Sequence, residues 1–212
     1  MKEKPLSKRA LRTRTALLNA GLNLLEAHPI ETISIDDIVK TARVGKGSFF
    51  NHFGDKQKFA SEVATVIRLD LTKLFRHTVK DISEPLIVLA VAMKQVTDFA
   101  LKKPRETIIL LRTPFDLSLT SNAPNQMIVS LIEACVSDGS IRPEAKNMGI
   151  LYWHSLCAML MANIIEDNLS QQAAYIHLNE MLTLGLTGLG VDLKHTKKVI
   201  KQVEKMDFLC PL

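Results

Sequence analysis

Apolar residues recur along most of the chain at the three- and four-residue spacings of an α-helix, which predicts an all-α protein. The first predicted helix ends near His28, because Pro29 follows and the residue before a proline avoids the helical region. Its predicted buried face comprises Leu11, Thr15, Leu18, Leu22 and Leu25. No segment has the convincing alternation of apolar and polar residues that is typical of a half-buried strand.

Two further short helices, joined by a tight turn, are predicted before residue 55. The second helix begins after Ser34, whose hydroxyl can cap it, and Asp37 stands at the capping-box position three residues later. The turn ends at Gly45, which we expect to take an irregular backbone conformation. A third helix follows from Lys46 to about His52, and Gly54 terminates it. Three helices in this order are typical of a helix-turn-helix.

The rest of the chain predicts a larger helical domain. A fourth helix, from Lys56 to about Thr78, is long enough to bridge two domains. The further predicted helices are about Glu84–Lys102, Pro104–Arg112, Ala123–Ser137, Pro143–Asn168 and Gln171–Leu189, with a short last helix near Asp192–Met206. We therefore predict a helix-turn-helix domain with a basic tail at residues 1–55 and a helical domain at residues 56–212.

The predicted third helix has an unusual distribution of aromatic residues. Phe49 and Phe53 lie four residues apart and are predicted to face the core, whereas Phe50 falls on the other side with Lys46 and Asn51. A large apolar side chain that faces water has no packing rationale. It is explained if this face of the helix binds another surface, and the neighbouring basic and amide groups are those that contact DNA.

Positive charge is concentrated at the N-terminal end of the chain. Residues 1–60 contain 11 lysines and arginines against 6 acidic residues, whereas the other residues contain 16 of each. A basic end on a neutral body is typical of a module that binds a polyanion. The charge distribution therefore supports double-stranded DNA as the partner of the helix-turn-helix.

Residues Thr15 to Val63 resemble the DNA-binding domain of the TetR family of repressors. The resemblance rests on Thr32-Ile33-Ser34-Ile35-Asp36-Asp37-Ile38 and on Ala42-Arg43-Val44-Gly45-Lys46-Gly47-Ser48-Phe49-Phe50-Asn51-His52-Phe53-Gly54-Asp55-Lys56. It implies a homodimer that binds a palindromic operator through its third helices and represses transcription. Gly45 and Phe50 replace a serine and a tyrosine that are usual in the family.

The resemblance implies a role in DNA binding for each matched position. Lys46, Gly47 and Ser48 would open the recognition helix in the major groove, and Asn51 would bind base edges. Ser34 would place the second helix near a phosphate, and His52 and Lys56 would contact phosphates. The complete predicted DNA-binding set is Ser34, Arg43, Gly45, Lys46, Gly47, Ser48, Phe50, Asn51, His52 and Lys56.

For residues 56–212 the resemblance implies a ligand-binding and dimerisation domain. The predicted dimer interface consists of apolar positions on the last two long helices, namely Trp153, Leu160, Ile164, Tyr175, Leu178 and Leu182. The predicted effector pocket consists of adaptable apolar residues, namely Met93, Val96, Phe99, Met127, Leu131, Cys135 and Met159. Because few charges fall on the predicted inner faces, we expect a small, mostly apolar effector.

Other classes of protein fit the sequence less well. The six histidines have no metal-ligand spacing with cysteines or acids, and no phosphate-binding glycine loop or nucleophile elbow is present. We therefore expect no catalysis, no metal and no other cofactor. Three widely spaced cysteines predict a reducing compartment, and the longest apolar run, Leu86 to Met93, is too short to span a membrane. We expect a cytoplasmic protein without a signal peptide.

Two alternatives to a repressor stay open at this point. A helical protein-interaction module without DNA binding could use the same helix-turn-helix layout. A DNA-binding activator or global regulator would share every feature of the sequence that predicts a repressor.

Overall fold

The computed structural model describes residues 7–113 and 123–206, and over these residues the all-α prediction is confirmed. Each predicted helix boundary given above lies within two residues of the observed one. The helices are α1 Lys8–Ala27, α2 Ile35–Ala42, α3 Lys46–Phe53, α4 Lys56–Val79, α5 Pro85–Lys102, α6 Pro104–Arg112, α7 Ala123–Ser137, α8 Ala145–Glu166, α9 Gln171–Gly188 and α10 Leu193–Glu204.

The described residues form two compact units. The N-terminal unit comprises residues 7–68 and 108–113, and the C-terminal unit comprises residues 69–107 and 123–206. The division lies inside α4, after Arg68, whereas the sequence-based boundary lies at residue 55. The first half of α4 belongs to the N-terminal unit because Phe59 and Val63 are completely buried there.

The buried face of α1 differs from the predicted one. Leu17, Ala20, Gly21 and Leu25 are buried, whereas Leu11 is half exposed. The reason lies at Gly21, where a Cβ atom would come within 2.6 Å of both Phe59 and Val63. The missing side chain allows α1 and α4 to approach closely, and this contact determines which face of α1 is buried.

The start of α2 has the predicted capping box. The hydroxyl oxygen of Ser34 accepts a hydrogen bond from the backbone N–H of Asp37 at 3.0 Å. The carboxylate of Asp37 in turn accepts from the backbone N–H of Ser34 at 3.2 Å. Two N–H groups that the first helical turn leaves without partners are thereby satisfied, and the start of α2 is determined locally.

The C-terminal unit is built around α5, which packs against α7, α8, α9 and α10. Among the described residues, α8 is the one helix that is long and apolar enough to cross a membrane by length and composition alone. It contributes Ile150, Trp153 and Leu160 to the core of this unit, as core helices of similar composition do. The other faces of α8 leave much of its apolar surface outside the core.

Candidate nucleic-acid interface

The two sides of α3 differ as the sequence predicts. Phe49 and Phe53 are buried, and their rings pack with that of Phe59 at centroid distances of 5.0–5.7 Å. Phe50 is 49% exposed, and its ring meets that of Phe49 edge-on at 5.7 Å. The buried rings hold α3 in place, and the opposite side of the helix faces solvent.

The exposed side of α3 carries the groups that the sequence predicts for DNA contact. Lys46, Gly47, Phe50 and Asn51 are exposed, whereas Ser48 and His52 are half-buried. This side of α3 presents the ammonium group of Lys46, the amide of Asn51 and the ring of Phe50, and Gly47 has no side chain between them. Hydrogen-bonding groups at the start of a helix, next to a glycine that lets the backbone come close, are suited to binding in a DNA groove.

The turn before α3 has its strained residue at a position other than the expected one. Gly45 has φ −75° and ψ 149°, an extended conformation that any residue adopts, so the irregular conformation expected of it is wrong. Arg43 instead has the left-handed conformation, with φ 55° and ψ 44°. This conformation usually favours glycine or asparagine, and here it is adopted by a residue with an exposed side chain.

Lys46 forms an ion pair at the surface. Its Nζ atom lies 2.9 Å from Oδ1 and 3.1 Å from Oδ2 of Asp36. Both side chains are more than half exposed, and such pairs contribute at most about 1 kcal/mol to stability. The ammonium group can therefore exchange the carboxylate for a phosphate at little energetic cost.

Two residues of the predicted DNA-binding set have structural contacts within the chain. The Nζ atom of Lys56 donates to the backbone oxygens of Ile33, at 2.8 Å, and Glu31, at 3.2 Å. It therefore holds the loop before α2 in place. The hydroxyl of Ser34 is engaged with Asp37, and two aspartates occupy the first turn of α2. This acidic turn disfavours the nearby phosphate that the resemblance implies.

Arg14 also has structural contacts within the N-terminal unit. Its guanidinium pairs with Glu62 of α4 and lies 5.2 Å from the centroid of the Phe53 ring. The sequence counts Arg14 with the basic N-terminal charge, but these contacts join α1 to α3 and α4. Sequence reasoning missed this role because its partners lie about 40 residues further along the chain.

Comparisons with known proteins agree with this geometry. Residues 17–63 match the family model described as bacterial regulatory proteins, tetR family. These residues span α2 and α3 and the parts of α1 and α4 that pack on them. The helix-turn-helix of the N-terminal unit is therefore similar to the one that this family model describes.

Two curated relatives also match parts of the chain. The HTH-type transcriptional repressor DhaR of Mycobacterium sp. (strain GP1) is 32% identical over 72 residues, which are 34% of this chain and 36% of that protein. The uncharacterized HTH-type transcriptional regulator YxbF of Bacillus subtilis (strain 168) is 27% identical over 124 residues, which are 58% of this chain and 27% of that protein. The chain thus spans about a third of the length of these relatives.

Solved structures share the fold of the chain at low sequence identity. NalD, the secondary repressor of the MexAB-OprM multidrug efflux pump in Pseudomonas aeruginosa, has a TM-score of 0.64 and 22% identity over 86% of this chain and 98% of its own. RolR in complex with resorcinol has a TM-score of 0.60 and 16% identity over 92% and 96%. A TetR family transcription regulator from Marinobacter aquaeolei VT8 has a TM-score of 0.64 and 11% identity over 83% and 96%. The chain therefore shares the fold of these structures over most of its length.

The predicted dimer-interface residues lie in the core of the C-terminal unit. Those that are buried within the single chain are Trp153, Leu160, Ile164, Leu178 and Leu182. Tyr175 is half-buried and donates a hydrogen bond to Asp98 at 2.6 Å. Packing among α5, α8 and α9 of one chain accounts for the five buried side chains, whereas Tyr175 keeps part of its surface exposed. The outward residues of α8 and α9 are different ones, including Met159 and Leu184.

The predicted pocket residues fall into three groups. Met93, Phe99 and Cys135 are buried, and Val96, Met127 and Leu131 are half-buried. Met159 is 64% exposed and lies outside the core. The interior is also less apolar than expected, since α5 buries Lys94, Gln95 and Asp98.

Cys135 is buried in the core of the C-terminal unit, and Cys157 is half-buried against it. Burial, followed by the carboxylates of Asp138 and Glu84, raises the pKa of Cys135 to about 12. Burial also raises the pKa of Cys157 to about 12. A thiol with such a pKa is protonated at neutral pH and is a poor nucleophile. Neither cysteine therefore supports covalent catalysis.

Proposed function

We propose that the chain is a transcriptional regulator that binds a palindromic DNA operator as a homodimer and represses transcription until a small effector binds. The observation that carries the DNA-binding part is the exposed side of α3, anchored by the buried rings of Phe49 and Phe53. The transcription regulators that share its sequence motif and fold support the same conclusion. The chain would act in the cytoplasm, without catalysis or a cofactor.

In the proposed complex, α3 lies in the major groove. Asn51 reads base edges, because an amide side chain can form a bidentate pair with adenine. Lys46 leaves Asp36 and binds a phosphate, which sets the register of the protein on the duplex. Gly47 allows the backbone of α3 to approach the DNA, since nothing lies within 4 Å of the position of its missing Cβ.

The test begins with selection of bound DNA from a random pool, followed by gel-shift titrations on the selected site. Lys46→Ala and Asn51→Ala should each weaken binding about fivefold or more, because each such contact contributes about 1–3 kcal/mol. Lys58→Ala is the matched control, since Lys58 is an exposed lysine of α4 paired only loosely with Asp55. Wild-type affinity in both α3 variants, with the fold intact, would contradict the proposal.

Salt dependence provides a second readout of the same contacts. Each phosphate that a lysine neutralises changes the slope of log affinity against log salt by about 0.9. Lys46→Ala should therefore flatten the slope by about 2 for a dimer, whereas Asn51→Ala should leave it unchanged. Equal slopes for wild type and Lys46→Ala would assign Lys46 a role other than phosphate contact.

The homodimer would form through the outward faces of α8 and α9. Met148 and Met159 lie on one face of α8, at 61% and 64% exposure, and Ile176 and Leu184 of α9 are exposed at 53% and 65%. Exposed apolar patches of this kind mark interaction sites. A second copy of the chain is the proposed occupant because two recognition helices are needed to read a palindrome.

The dimer is tested by charge insertion at the proposed interface. Met159→Glu combined with Leu184→Glu should convert the protein to a monomer in sedimentation experiments and abolish cooperative operator binding. Leu193→Glu is the matched control, because Leu193 is 51% exposed on α10, outside the proposed interface. A dimer that survives the double change would exclude these faces.

A further inference from the structure

The interior of the C-terminal unit holds polar side chains that its fold does not require. α5 is buried on nearly all sides, and helices of this kind are normally apolar throughout. Two charged residues and an amide within about one helical turn depart from that rule, since Lys94, Gln95 and Asp98 are at most 7% exposed. Burial of such groups is costly unless each has a partner.

The two charged groups are matched to each other. Nζ of Lys94 lies 3.0 Å from Oδ2 of Asp98, and the hydroxyl of Tyr175 donates to Oδ1 of the same carboxylate at 2.6 Å. The ammonium group also lies 5.2 Å from the centroid of the Tyr175 ring. One positive charge therefore meets one negative charge, and this part of the core has no net charge to offer a ligand.

Gln95 differs from its neighbours because its amide has no partner. It is 3% exposed, and neither its Nε2 nor its Oε1 atom forms a hydrogen bond. Each buried polar group without a partner costs about 1–3 kcal/mol, and leucine would fill similar space without that cost. A donor and an acceptor on one planar group, both without partners and one helical turn from the buried Phe99, are suited to recognise a complementary pair on a ligand.

We propose that Gln95 is the polar recognition group of the effector site, and that the effector is an uncharged molecule with an amide or similar adjacent donor and acceptor on an apolar body. This assignment rests on the proposed effector response and gives it a chemical class. A charged ligand is disfavoured, because the paired Lys94 and Asp98 leave no counter-charge for it. A purely apolar ligand is disfavoured as well, because it would leave both amide atoms without partners.

The test uses benzamide as the probe, with toluene and benzoate at equal concentration as its apolar and charged counterparts. In 15N-labelled protein, benzamide should shift the side-chain NH2 resonances of Gln95, which are assigned by their loss in Gln95→Leu. Toluene and benzoate should leave these resonances unshifted. Benzamide should also raise the melting temperature of the wild type and not that of Gln95→Leu.

The variant provides an independent readout without any probe. Gln95→Leu should raise the melting temperature of the free protein by about 2 °C or more, because it removes two polar atoms without partners. Gln172→Leu is the matched control, since Gln172 is exposed on α9, and it should change neither the melting temperature nor the response to benzamide. A melting temperature that falls in Gln95→Leu would show that the amide already has a partner, such as a bound water, and would overturn the proposal.

Operator binding separates this proposal from the proposed function. Gln95→Leu should bind the selected operator with wild-type affinity in the absence of probe, and benzamide should weaken operator binding of the wild type alone. Unshifted Gln95 resonances in the presence of benzamide would refute the site while leaving DNA binding intact. If the wild type bound no operator, the proposed function would be refuted. The resonance shifts would still test the effector site at Gln95.

Discussion

The same substitution should have opposite effects on stability at two glycines of the N-terminal unit. Alanine in place of glycine inside a helix stabilises by about 0.5–1 kcal/mol, because glycine loses more backbone entropy on folding. At Gly47 of α3 nothing lies within 4 Å of the added methyl group, so Gly47→Ala should show the full gain. At Gly21 of α1 the methyl group would meet Phe59 and Val63 at 2.6 Å each.

The contact at Gly21 should outweigh the helical preference for alanine. Overpacking of a buried position typically costs about 1–3 kcal/mol, so Gly21→Ala should lower the free energy of unfolding by about 1–2 kcal/mol. Val63→Ala removes one of the two obstructing groups. In a double-mutant cycle, Gly21→Ala and Val63→Ala should therefore couple favourably by more than about 0.5 kcal/mol.

Urea unfolding at constant protein concentration measures these differences, with circular dichroism as the signal. Equal stabilisation by the two alanines would refute the reasoning, because it would mean that α1 and α4 are not in close contact at Gly21. Operator affinity gives a second comparison. Gly47→Ala should bind the operator more weakly than the wild type although it is more stable, if its backbone approaches DNA as proposed.

Three further predictions concern local structure around the same helices. Lys56→Met should destabilise the N-terminal unit by about 1–2 kcal/mol in urea unfolding, because two backbone carbonyls lose a charged donor. An unchanged midpoint of the urea transition would show that Lys56 does not stabilise the fold. Arg43→Gly should raise the free energy of unfolding by up to about 1 kcal/mol, since Arg43 has positive φ, and a lower value would show that its side chain holds the turn. Hydrogen bonds from the hydroxyl and then the backbone N–H of Ser34 lower the pKa of Asp37. The stability advantage of wild type over Asp37→Ala should therefore be complete near neutral pH and disappear as the pH falls through that lowered pKa. An advantage independent of pH would exclude the carboxylate form as its source.

Much of the candidate DNA-binding site could be predicted because its signals are local. The hydroxyl of Ser34, the carboxylate of Asp37 and Gly54 determine helix ends through hydrogen bonds and backbone geometry within a few residues. The four-residue spacing of Phe49 and Phe53 determines which side of α3 is buried. The roles of Lys56 and Arg14 could not be predicted in this way, because their partners lie more than 20 residues away.

For the C-terminal unit, the sequence by itself determined where the helices lie, and the tertiary structure decided what each face contacts. Apolar stripes on α8 and α9 look the same whether they pack within one chain or between two, so Trp153 and Leu182 could not be distinguished from Met159 and Leu184. Hydrophobic burial is proportional to area and has no direction, and it therefore does not specify a partner. Helix ends depend on hydrogen bonds between near neighbours, whereas packing depends on residues far apart in the chain, such as Asp98 and Tyr175.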